Sequence, residues 1–222
     1  MAVSYDLRDG VAWITMDDGK VNAVSPPMAE SLIGAIDRAE GEASALVLTG
    51  RPGKFSAGFD LKIMQGGDAS AAQALLNRGG DVALRLFDSR LPTIALCNGH
   101  ALAMGALLLL ACDTRIGVAG EFKIGLNETA IGMPLPLFGI ELPRARLNPV
   151  ALTAAVVQSR LYAPADAVAV GYLDEVVAEA AATERTQQVG AAFGQLPRAA
   201  YRANKEQVHA ATIARIRDSL IR

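Results

Sequence analysis

Histidine and cysteine are scarce in this 222-residue chain, and their scarcity removes several chemistries at the outset. The two cysteines, Cys97 and Cys112, each sit in an apolar run, with neither metal-ligand spacing nor a disulfide ladder, and read as buried free thiols. The two histidines, His100 and His209, have no partners at metal-binding spacing, and Ser56 has no nearby His/Asp set, so metal and triad chemistry are not expected. An excess of one charge is lacking too. Lys+Arg 21 against Asp+Glu 23 gives a formal net charge of −2, with no basic surplus to recruit nucleic acid or an acidic membrane. The longest apolar run, Ala101 to Cys112, falls well short of the ~20 residues that span a bilayer, and Met1 to Val11 lacks the basic start and apolar core of a signal peptide. The expectation is a soluble, cytoplasmic protein with no nucleic acid and no membrane among its partners.

What the chain does have is apolar residues, 51% of the total, enough for one sizeable core or a core plus a smaller helical appendage. Tyr5 to Leu7 and Val11 to Met16 flank Asp9-Gly10, which predicts an opening β-hairpin. Met28 to Ala39 has helical spacing after a cap at Ser25 and two prolines. Ala45 to Thr49 suits a short buried strand, Gly50 to Gly58 a glycine-rich turn, and the following segment a helix start. Ala71 to Phe87 is helical, with a kink or break expected at Gly79-Gly80. Pro92 to Cys97, Asn98-Gly99 and Ala101 to Cys112 repeat the strand, turn, helix order. Thr114 to Ala119 and Glu121 to Ile124 predict short strands, and residues 125–136 a loop carrying one acid, Glu128, among apolar neighbours. Beyond Pro149 come Ala-rich helices (Ala151 to Ser159, Pro164 to Val170), a strand at Glu175 to Val177, and from Thr183 two helices divided near Leu196-Pro197. The class is α/β, with residues 1–150 as the α/β core and 151–222 as a helical C-terminal region.

Two places can carry chemistry. A glycine turn running into a helix start brings unpartnered backbone N–H groups and a partial positive charge toward a ligand, which suits an oxyanion. Ala45 to Lys62 fits this, although an ordinary strand-to-helix connection has the same composition. Glu128 is either an acid/base group or a loop acid bonding nearby N–H groups.

Three ordered motifs add to this: Arg51-Pro-Gly-Lys-Phe-Ser-Ala-Gly-Phe-Asp-Leu-Lys62, Asn98-Gly-His100, and Ile124-Gly-Leu-Asn-Glu-Thr-Ala-Ile-Gly132. Together they resemble the crotonase (enoyl-CoA hydratase/isomerase) family from about Val11 to Val177, and within it most resemble the monofunctional delta3-delta2 enoyl-CoA isomerases. The resemblance implies a crotonase-like (ClpP/crotonase) spiral of β-β-α turns with a helical C-terminal region that mediates trimers or hexamers. It implies an acyl-CoA substrate whose thioester oxygen is held by the backbone N–H groups of Phe59 and Met104. Relatives usually have glycine where Met104 stands, so its bulk is expected to narrow the acyl pocket. Hydrating members use two glutamates, aligned with Leu107 and Glu128; with only the second present, the resemblance implies isomerisation in fatty-acid β-oxidation with Glu128 as the acid/base. An enoyl-CoA hydratase (a lyase) or a non-catalytic acyl-CoA-binding member is the alternative. Val24, Ser25, Ala57, Asp60, Leu61 and Lys62 are implied for substrate binding, with Leu107 at the pocket wall; Lys205 loosely matches a C-terminal lysine near CoA. No catalytic role is carried onto His100. No cofactor is implied beyond coenzyme A as the carrier portion of the substrate.

Overall fold

The computed structural model describes residues 2–220; Met1, Ile221 and Arg222, which end the first and last expected segments, lie outside it. Strands β1 (Val3–Arg8) and β2 (Val11–Met16) form the expected hairpin. Asp9 and Gly10 between them both take positive φ, 48° and 80°, the conformation a two-residue turn needs to match the strand twist. A two-residue strand β3 (Ala23–Val24) leads to α1 (Pro26–Glu42), whose Ser25 hydroxyl accepts from the Met28 N–H. Next come β4 (Ala45–Gly50), β5 (Gly53–Ser56), β6 (Gly58–Phe59), a one-turn α2 (Leu61–Met64) and the long α3 (Ala69–Phe87). Then follow β7 (Thr93–Cys97), β8 (Gly99–Leu102), α4 (Met104–Ala111), β9 (Thr114–Val118), β10 (Ile124–Gly125) and α5 (Leu137–Arg146). The chain closes with α6 (Pro164–Val170), β11 (Glu175–Val177), α7 (Glu179–Gly194) and α8 (Arg198–Ser219).

One six-stranded sheet, in the order β1-β2-β4-β7-β9-β11, is parallel apart from β1. Its central strands are buried on both faces, which is why they read as unbroken apolar runs. Side chains alternate between two cores. Val11, Trp13, Ala45, Val47, Ile94, Leu96, Ile116 and Val118 face Ala182 and Val189 of α7. Ala12, Ile14, Leu46, Leu48, Ala95 and Cys97 face α1, α3 and α4. Beyond residue 150 the chain thus returns to this sheet, adding β11 beside β9 and laying α7 across it.

Each central strand is followed by a short strand of a second parallel sheet, ordered β10-β8-β5, and then by a helix. This is the β-β-α spiral of the crotonase fold. Several expectations are corrected here. The glycine-rich segment after β4 contains strand β5, and the helix beyond it is a single turn. Residues 99–102 are strand, so the interior helix starts only at Met104. The strand expected at 121–124 shrinks to Ile124–Gly125, and residues 153–157 form a π-helical turn where an α-helix was expected. Helix α3 runs through Gly79-Gly80 unbroken, because both glycines are buried against neighbouring chain and packing outweighs their roughly 1 kcal/mol propensity cost.

No helix among the described residues is long and apolar enough to cross a membrane.

Candidate active site

The small sheet gathers the site. Strand β8 pairs with β5 on one side and β10 on the other, all three parallel, so the segments leaving their carboxyl ends emerge together. Those segments are Ala57 to Phe59, Ala103-Met104 and Leu126 to Glu128, at the edge where parallel sheets bind ligands. Ala103 N–H donates to the Gly125 carbonyl at 3.0 Å, tying the second segment to the third. Glu128 follows Gly125 by three residues, a reach of roughly 10 Å at most.

The first two segments touch. A methyl added to Gly58 would lie 2.7 Å from the Ala103 Cβ and 3.3 Å from the Met104 nitrogen. The residue before each expected donor has positive φ, 98° at Gly58 and 52° at Ala103. For alanine this is a high-energy conformation, of the kind that survives only where the surroundings enforce it. Met104 is the first residue of α4, where an N–H has no intrahelical acceptor, and Ala103 supplies no side-chain cap. Two backbone donors on adjoining loops suit a developing oxyanion. The Gly58→Ala variant is expected to force the loops apart and lower turnover about 100-fold, the cost of roughly 1 Å of misplacement, in steady-state assays.

Side chains behind the donors are locked. Ser56 Oγ donates to the Asn22 carbonyl at 2.7 Å and accepts from the Gly58 N–H at 3.2 Å, leaving it no nucleophilic role. Buried Asn22, at φ 54°, ties β2 to β5 by donating to the carbonyls of Met16, Lys54 and Phe55. Leu107 is buried one turn along α4 from Met104, where it can neither bind nor deprotonate water.

Glu128 is 8% exposed and precedes a 3-10 turn, Thr129–Ile131. Its carbonyl accepts from Ile131 at 3.1 Å and Met133 at 2.9 Å, and the Ser159 hydroxyl, on a residue at φ 55°, accepts from Ala130 at 3.0 Å. The backbone is therefore fixed while the buried Oε2 has no partner. Burial pushes this carboxyl from 4.5 up to about 7, only partly opposed by the N–H groups of Glu128 and Asn127. An acid poised there can both take and return a proton near neutrality.

A cleft of about 470 Å³ opens beside the first donor loop, lined by Asp18, Lys20, Val21, Ala23, Ser25, Ala57, Phe59, Asp60, Leu61 and Lys62. It unites Ser25, Ala57, Asp60, Leu61 and Lys62. Val24 is fully buried and does not line it; its carbonyl accepts from the Asp60 N–H at 3.2 Å. Asp60 caps α2 through the Lys62 N–H. Sequence reasoning missed Lys20, which stands in a segment that reads only as a turn after β2. Lys205 is not at this cleft: its Nζ lies buried 2.6 Å from Asp113 Oδ2. The His100 Nδ1 accepts from the Lys123 N–H at 3.1 Å, a structural contact away from the donor loops. Among the described residues no group of three or more His, Cys, Asp or Glu side chains is placed to hold a metal.

A spiral of β-β-α turns, with apposed donor loops and one buried acid at the carboxyl ends of its small sheet, defines a crotonase-like enzyme. The family model for enoyl-CoA hydratase/isomerase matches residues 6–219, and the chain belongs to that family. It is similar to human mitochondrial enoyl-CoA delta isomerase 1, 30% identical over 96% of this chain and 72% of the relative. A solved enoyl-CoA hydratase/isomerase family protein from Pseudomonas syringae superposes with TM-score 0.95 at 40% identity, covering 99% of this chain and 95% of the other. An enoyl-CoA hydratase from Mycobacterium ulcerans does so with TM-score 0.95 at 35% identity, covering 99% and 96%.

Proposed function

We propose that the protein is a delta3-delta2 enoyl-CoA isomerase, moving a 3,4 double bond of an acyl-CoA into the 2,3 position. The observation that supports this reading is the single carboxylate: Glu128 is buried with its pKa raised to about 7, while the family resemblance aligns the second acid of hydrating members with Leu107, which is buried in α4. Ionised Glu128 takes a proton from C2 of the 3-enoyl thioester. The electron pair delocalises onto the thioester oxygen, where the Phe59 and Met104 N–H groups receive the charge, each worth roughly 3 to 4 kcal/mol in comparable holes. The protonated carboxyl then delivers the proton to C4, the double bond settles between C2 and C3, and Glu128 is ionised again. The carrier CoA occupies the cleft between Lys20 and Lys62, whose ammonium groups suit its phosphates.

Relatives named as hydratases are as similar as those named as isomerases, so water addition is the competing activity. Parallel assays of 3-enoyl-CoA and 2-enoyl-CoA, with products identified, are expected to show isomerisation at least about tenfold faster, given that leucine aligns with the second water-holding acid of hydrating members. Faster hydration of the 2-enoyl substrate overturns the assignment. Binding of acyl-CoA with no turnover of either substrate would reduce the protein to a carrier.

A further inference from the structure

Helix α3 carries Gly79 in its middle, where alanine would be better by roughly 1 kcal/mol. A methyl group placed on Gly79 would lie 2.3 Å from Phe59 Cζ, 2.4 Å from Phe59 Cε1 and 3.5 Å from the Met104 Cε methyl. One helical position is therefore the common seat for the side chains of both donor residues, on loops 45 residues apart in sequence. The seat also answers how Met104 is accommodated: its side chain is fully buried against α3 beside the Phe59 ring.

We infer that Gly79 is the positioning residue of the oxyanion hole, fixing the aim of the Phe59 and Met104 N–H groups by seating both side chains in one notch. This role of Gly79 presupposes the donor roles proposed above for Phe59 and Met104. A backbone N–H has no rotamer of its own; its direction follows the peptide plane. Both planes follow a residue with positive φ: Gly58 adopts it freely and so leaves the Phe59 plane to be set by packing, whereas at Ala103 it is a high-energy conformation that persists only where the surroundings enforce it. The Phe59 ring and the Met104 methyl are the anchors. The neighbouring Gly80 has a different office: a methyl there would meet Leu220 at 2.4 Å and Phe138 at 3.2 Å, so it seats the C-terminal segment.

The Gly79→Ala variant is expected to push the ring out of its notch and lower kcat about 10- to 100-fold, with KM changed less than about threefold because Phe59 is one of ten residues lining the CoA cleft and the other nine stay in place. The double variant Gly79→Ala, Phe59→Leu, which shortens the clashing side chain but keeps the N–H, should regain most of the lost kcat. A second readout needs no turnover: the infrared carbonyl stretch of bound, saturated butanoyl-CoA. The wild type is expected to shift it to lower frequency and Gly79→Ala to lose part of that shift. A shifted carbonyl that Gly79→Ala leaves unchanged, or a kcat loss that Phe59→Leu fails to repair, refutes the role of Gly79 alone. An unshifted carbonyl in the wild-type complex refutes the donor assignment beneath it as well.

Discussion

Glu128→Gln is expected to lower turnover of 3-enoyl-CoA by about 10² to 10⁴, the range for losing an acid/base group, while acyl-CoA binding persists. Glutamine keeps the shape and cannot carry the proton. The pH dependence follows from the same burial. The carboxyl must be ionised to accept the C2 proton, so with its pKa near 7, kcat/KM should fall about tenfold per unit below pH 7 and level off above it. Stability moves the other way. Folding raises this pKa from 4.5 to about 7, so the protonated form is favoured in the native state; its contribution is complete below about pH 4.5 and is lost as pH rises through 7. The difference is about 3 kcal/mol at most. Glu128→Gln, which cannot ionise, should therefore melt progressively higher than wild type as pH is raised from 5 to 8. A Gln variant that isomerises at the wild-type rate, or a melting gap indifferent to pH, contradicts the role given to Glu128.

Asp113→Ala is expected to cost about 3 to 5 kcal/mol of stability, the usual penalty for stripping one partner from a buried ion pair. This aspartate, at the junction of α4 and β9, accepts from Lys205 Nζ at 2.6 Å, Tyr201 Oη at 2.7 Å, and Thr93 Oγ1 and N at 2.9 and 3.1 Å. Arg146 Nη2 reaches its other oxygen at 3.3 Å. Burial alone would raise its pKa, but the Lys205 charge and hydrogen bond, then Tyr201 and Arg146, outweigh it and hold the carboxyl below its ordinary value. Its stabilisation is thus present at neutral pH and is lost as pH falls through the depressed folded pKa. Removing it strands a lysine whose side chain is 6% exposed. For a chain of this size the melting temperature should drop by roughly 10 °C or more, measured by calorimetry. A drop under about 2 °C would mean that Lys205 and Arg146 find solvent without it.

Legibility followed length and amphipathic pattern. Strands β2, β4 and β7 of the large sheet were readable because five or six mostly apolar residues beside a glycine or proline have few other fates, and the hairpin because Asp9-Gly10 favours left-handed backbone. The small sheet was not: β5, β8 and β10 are two to four residues long and include Gly53, Lys54, Gly99, His100 and Gly125, too short and too polar to carry a period. Gly79-Gly80 was misread as a helix break because propensity is a local quantity and the contacts of Phe59, Met104, Phe138 and Leu220 are not. Lys205 loosely matched a CoA lysine by its motif alone, and folding gave it to Asp113. Lys20 was passed over because a lysine in a turn has no signature until Ser25 and Lys62 are placed across from it.

The sequence by itself determined the chemical inventory: one acid in an apolar loop, leucine at the position the family resemblance aligns with a second, no metal-binding spacing, and unbroken apolar runs that suit a sheet covered on both faces. These depend on which side chains exist. The tertiary structure decided where they sit: the convergence of residues 57–59, 103–104 and 126–128 at one sheet edge, the burial that lifts the Glu128 carboxyl to about 7, and the packing of the Phe59 and Met104 side chains against Gly79. The physical reason is that every residue but proline carries a backbone N–H, so an oxyanion hole has no composition of its own, and a carboxyl's pKa belongs to the dielectric around it. Only the path of the folded chain aims the one and buries the other.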